Sequence, residues 1–64
     1  MQSRAFDIGD RVEVDVKGVR FPATVRSKVH GLVGIEPEEP KRYSWRTVTP
    51  RLIVRVLERQ GRLA

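Results

Sequence analysis

Arg20, Arg26, Lys28 and His30 fall on one parity of the stretch KGVRFPATVRSKVHG, residues 17–31, while Val19, Phe21, Ala23, Val25 and Val29 fall on the other. Successive side chains of a strand point to opposite faces, so this period of two predicts a cationic wall backed by an apolar one. A second cluster, Lys41-Arg42-Tyr43-Ser44-Trp45-Arg46, interleaves cations with two large rings, and Arg51 and Arg55 extend it. Cations in such rows suit contact with a chain of phosphates, and the rings suit stacking on a base or sugar. The plainer roles are a solvated basic face that keeps a small domain dispersed and rings that fill a small core. Parity leaves the rings open: in an unbroken strand, burying Val48 sends Trp45 outward, and burying Tyr43 and Trp45 sends Val48 outward.

Other chemistries find little to work with. His30 is the one histidine and cysteine is absent, which removes zinc–thiolate sites and disulfides, and no Ser-His-Asp spacing is present. His30 reads as a turn residue at a strand end, with a phosphate contact at the rim as its functional alternative. Glu36, Glu38 and Glu39 are spread by Pro37 and Pro40 and lack calcium-loop spacing, so they read as a solvated acidic loop. The run His30-Gly31-Leu32-Val33-Gly34 lacks the Lys-Ser/Thr that follows a phosphate-cradling loop. No catalytic, cofactor or metal residue is expected.

Sixty-four residues make one domain at most, with too little interior for a buried catalytic cleft. The formal charge of +5 favours a polyanionic partner, nucleic acid or an acidic protein. Its distribution is uneven: residues 1–40 hold six Lys/Arg and seven acids, residues 41–64 seven Lys/Arg and the single acid Glu58. Among Arg20, Arg26, Lys41, Arg42, Arg46, Arg51, Arg55, Arg59 and Arg62 only one is lysine, a bias toward the planar fork that reads bases or a narrow groove, hence DNA ahead of RNA. No signal h-region opens the chain and no apolar run approaches a membrane span, so a cytoplasmic protein without a membrane partner is expected.

The elements that must place these residues are short strands. Asp7-Ile8-Gly9-Asp10 reads as an opening turn, and Arg11-Val12-Glu13-Val14-Asp15-Val16 alternates as a half-buried strand does. Lys17-Gly18 reverses the chain into a strand over residues 19–29, where Pro22 demands an edge, a bulge or a strand start. His30-Gly31 reverses it again into a third strand over 32–35, with Gly34 allowing a bend or close approach, and Pro37-Glu38-Glu39-Pro40 breaks the ladder. A fourth strand is expected over residues 43–48, then a tight or 3₁₀ turn over 49–52 and a fifth strand over 53–57. A helix over residues 50–59, capped by Thr49 with Pro50 at its first position, is the competing reading. The ends of the chain, including residues 59–64, are expected to fray around an ordered core of about residues 7–58.

The runs Gly9-Asp10-Arg11-Val12-Glu13-Val14, Gly18-Val19-Arg20-Phe21-Pro22-Ala23-Thr24-Val25 and Val48-Thr49-Pro50-Arg51-Leu52-Ile53 resemble the SH3-like barrels of the Tudor, Agenet and KOW type. The resemblance spans residues 8–57 and implies a closed barrel that binds nucleic acid or a protein partner. Methyl-lysine and methyl-arginine readers of that family surround the cation with an aromatic cage, for which this chain offers only Phe6, Phe21, Tyr43 and Trp45. Phe6-Asp7-Ile8-Gly9-Asp10-Arg11-Val12 and Leu57-Glu58-Arg59 are also similar to the small plasmid-type dihydrofolate reductase. That enzyme lines its pore with Val-Gln-Ile-Tyr, where this chain reads Trp45-Arg46-Thr47-Val48-Thr49, without its reaction-bearing residues.

The sequence thus predicts an all-β fold, a small five-stranded SH3-like barrel over residues 1–64 with a 3₁₀ turn before the last strand. The expected activity is non-enzymatic binding of nucleic acid, double-stranded DNA first, through Arg20, Arg26, Lys28, Lys41, Arg42, Tyr43, Trp45, Arg46, Arg51 and Arg55. A protein-interaction module with an acidic or extended partner is the alternative, and a homodimer would enlarge either surface.

Overall fold

The computed structural model describes residues 6–59. Strands β1 (Arg11–Val16), β2 (Val19–Val29), β3 (Leu32–Pro37), β4 (Thr47–Val48) and β5 (Ile53–Glu58) form one antiparallel sheet in the order β4, β3, β2, β1, β5. A 3₁₀ turn, Pro50–Leu52, precedes β5.

Both hairpin turns follow from their two-residue loops. Lys17 and Gly18, like His30 and Gly31, have positive φ at both positions, which is the combination that matches the right-handed twist of the flanking strands. Val16 then pairs with Val19, and Val29 with Leu32. Val12, Val14, Val16, Phe21, Ala23, Val25, Val33, Ile35, Val48 and Ile53 make the core on the inner face, as alternation in β1 and early β2 requires. Pro22 sits in mid-sheet without harm. Its carbonyl accepts from Glu38 N–H at 3.1 Å, so its N side faces a stretch where the β3 ladder has already ended at Ala23 and Pro37.

Irregularities bend the sheet. Arg26 is an extra residue opposite β3, between the Val25–Ile35 and Ser27–Gly34 pairs, and Val54 and Leu57 are extra residues in β5 opposite β1. Each such bulge kinks its strand and increases local twist, which wraps the sheet over its own valines.

The closed SH3-like barrel, and with it the Tudor, Agenet and KOW resemblance, is overturned by the ladder pattern. β4 and β5 lie at opposite edges of an open sheet and do not pair with each other. The reason lies in residues 38–46, which leave the ladder instead of extending β4. Glu39 O accepts from Arg42 N–H and Tyr43 N–H in a turn, and the chain returns to β3 only where Ile35 N–H donates to Arg46 O at 2.8 Å. Two residues of β4 are too few to close a barrel, and the Pro50 turn directs the chain away to the far edge. The helix over residues 50–59 is also absent: one 3₁₀ turn forms, with Leu52 N–H donating to Thr49 O, and the β-branched run Ile53-Val54 continues as strand. The expectation of fraying falls on terminal residues that lie almost wholly outside those described.

Candidate functional site

The wall predicted on β2 breaks at Arg26. Because Arg26 is a bulge residue, every side chain beyond it changes face: Ser27 pairs with Gly34 on the outer face, Lys28 with Val33 on the inner, and Val29 with Leu32 on the outer. Lys28 therefore leaves the row of Arg20. Its Nζ donates to Phe6 O at 2.8 Å, lies 3.7 Å from an Asp7 carboxylate oxygen and sits 5.0 Å from the Phe6 ring centroid. Val29 and Leu32, in turn, stand exposed on the outside.

The remaining cations of the outer face are matched by acids from the neighbouring strand. Arg20 pairs with Asp15 at 3.1 Å, Arg26 with Glu36 at 3.2 Å and Arg55 with Glu13 at 2.9 Å. Arg11 bonds Glu38 and lies 4.0 Å from Glu58. Hydrogen bonding from the Arg11 guanidinium holds the Glu38 carboxyl below the usual carboxylate range and raises the arginine in turn. Exposed pairs of this kind are weak individually, but together they cancel the field that a bare row of arginines would project.

Residues 41–51 differ. They contain Lys41, Arg42, Arg46 and Arg51 and no acid. Arg42 lies 3.5 Å from Glu39, whereas Lys41, Arg46 and Arg51 have no carboxylate partner among the described residues. The Arg46 guanidinium instead donates to Tyr43 O at 3.2 Å and Trp45 O at 3.3 Å, tying down the backbone between the two rings.

Those rings are half-buried, and parity resolves in an unforeseen way. Arg46 and Thr47 are exposed in succession, so alternation slips by one and Tyr43, Trp45 and Val48 all turn toward the core. Phe21, buried in β2, is the floor beneath both: its centroid is 4.5 Å from Tyr43 with planes 13° apart and 5.5 Å from Trp45 with planes 16° apart. Tyr43 and Trp45 are 6.4 Å apart at 25°. Near-parallel rings make a shelf, whereas a cage for a methylated cation needs walls at steep angles.

The ten residues predicted as a site thus divide. Lys41, Arg42, Tyr43, Trp45, Arg46 and Arg51 share one acid-free segment, while Arg20, Arg26 and Arg55 are paired on the outer face and Lys28 is bound to Phe6 and Asp7. Sequence reading assigned Phe21 to the core and missed it as the floor of the shelf, although a large ring among valines was the available signal. It also missed a shallow groove of about 250 Å³ lined by Ser27, Val29, His30, Leu32, Gly34 and Thr47, to which the outward-turned Val29 contributes.

No three His, Asp or Glu side chains gather to hold a metal ion among the described residues. No helix among them is long and apolar enough to cross a membrane. Comparison with family models, curated proteins and solved structures found no match for this chain.

Proposed function

We propose that this protein is a non-enzymatic nucleic-acid-binding module, DNA ahead of RNA on its arginine bias, acting in the cytoplasm through residues 41–51. The observation that carries this reading is that residues 41–51, a segment without acids, hold three cations that have no carboxylate partner among the described residues, Lys41, Arg46 and Arg51, together with two half-buried rings. Phosphates would meet the cations, and the rings would offer a planar apolar surface to a sugar or base. The β2 wall, expected to follow a chain of phosphates, loses its part because Arg20 and Arg26 already have carboxylate partners, as does Arg55 on β5. Self-association would double a surface that is small for one copy.

Fluorescence anisotropy with labelled oligonucleotides tests the reading. Neutralising three phosphates predicts an affinity loss of about 20- to 40-fold between about 50 and 200 mM salt. Absence of binding to any DNA or RNA at the lower salt, with the fold intact, overturns it. The exposed pair Val29 and Leu32 beside the groove supports a second reading, a peptide-docking module, which predicts binding that is insensitive to salt and lost in Val29→Ser.

A further inference from the structure

We infer that the nucleic acid this site takes is single-stranded, with a base laid on the outer face of Trp45. The inference rests on the nucleic-acid reading above and specifies its ligand.

Tyr43 and Trp45 each present one face to Phe21, which is 1% exposed, so what solvent reaches the two rings comes from the opposite faces and the edges. The two outer faces are not equivalent. The Arg42 guanidinium carbon lies over Tyr43 at 5.4 Å from its centroid, and since Phe21 fills one face of that ring the guanidinium takes the other. Glu39 steadies Arg42 there. No cation lies over Trp45 among the described residues, which leaves the larger, half-buried ring without the guanidinium that its neighbour carries.

Trp45 is also held in place. Stacking on Phe21 and the bonds from Arg46 to the carbonyls of Tyr43 and Trp45 hold the ring and its backbone, which disfavours an outward swing as a wedge between duplex base steps. Base faces inside a duplex are already covered by their neighbours, and a recessed ring reaches only a base that is unpaired and splayed.

The test compares an unlabelled single strand of about 12 thymidines with a hairpin duplex of similar length, reading emission from Trp45, the sole tryptophan, and affinity at low salt. The single strand should bind at least about tenfold more tightly and quench the emission, and Trp45→Leu, which keeps an apolar group on Phe21, should lower single-strand affinity about 5- to 100-fold while leaving duplex affinity unchanged. The emission change in the unsubstituted protein stands by itself if Trp45→Leu fails to fold. Equal affinity for both forms with unaltered emission overturns the stacked-base inference but leaves binding by charge. Failure to bind either form overturns the nucleic-acid reading itself.

Discussion

His30 and Lys17 show what single residues contribute to this fold and at what cost. Each holds a positive φ, 54° and 53°, that a side chain with a Cβ adopts reluctantly, because the two-residue turn requires it. Asparagine tolerates that region better, so His30→Asn and Lys17→Asn should each stabilise the protein by about 0.5–1 kcal/mol in chemical denaturation. His30 was legible as a turn residue from its glycine neighbour. Its place at the rim of a groove was not, since that depended on the displaced Val29. Glu38 acts at the same scale. Its folded-state pKa is depressed by Arg11, so the stability it contributes is present above the ordinary glutamate value of about 4.3 and disappears as pH falls through the lower folded value. Denaturation measured across the acid range should show that loss in the unsubstituted protein and its absence in Glu38→Gln.

Among the elements, β2 and β3 carry the main lesson. Their alternation was readable up to Val25, and the prediction of faces failed beyond it because one inserted residue reverses all that follow. A bulge leaves no mark in residue type when the extra position is an ordinary exposed arginine. Gly34 belongs to the same distortion: a Cβ there would lie 2.3 Å from Ser27 Oγ but an ordinary 3.5 Å from Ser27 Cβ. Gly34→Ala should therefore destabilise the protein by about 1 kcal/mol, the cost of forcing the serine off its rotamer. In a Ser27→Ala background the same change should become neutral or stabilising, because alanine orders a strand better than glycine. A double-mutant cycle by thermal unfolding reads the coupling, and equal effects in both backgrounds would contradict the contact. The fourth strand was overestimated for a related reason. Residues 43–46 have good strand composition, but stacking two rings over Phe21 draws them out of the ladder.

At the scale of the whole molecule, charge is sorted by tertiary neighbours. Arg20, Arg26 and Arg55 face Asp15, Glu36 and Glu13, so their replacement by alanine should leave nucleic-acid affinity nearly unchanged. Lys41→Ala and Arg51→Ala should each weaken binding across all sequences and lower the slope of log affinity against log salt by about 1, which anisotropy titrations at several salt concentrations measure. A reversed order, with Arg20, Arg26 and Arg55 dominant, would return the interface to the sheet. The open sheet also sets the shelf in place: residues 38–46 close no barrel, and Tyr43 and Trp45 among them cover Phe21.

The amino-acid pattern alone determined the all-β character, the five strands in order, both hairpin turns, the valine core and the excess of positive charge after residue 40. These are properties of neighbours in the chain, set by alternation, glycine at fixed offsets and β-branched density. Tertiary structure alone decided that the sheet stays open, that Lys28 and Val29 exchange faces, that most arginines are paired and that Trp45 lies flat on Phe21. Each of these depends on which side chain from a distant strand arrives opposite, and a single added residue in one strand changes that without changing the local pattern.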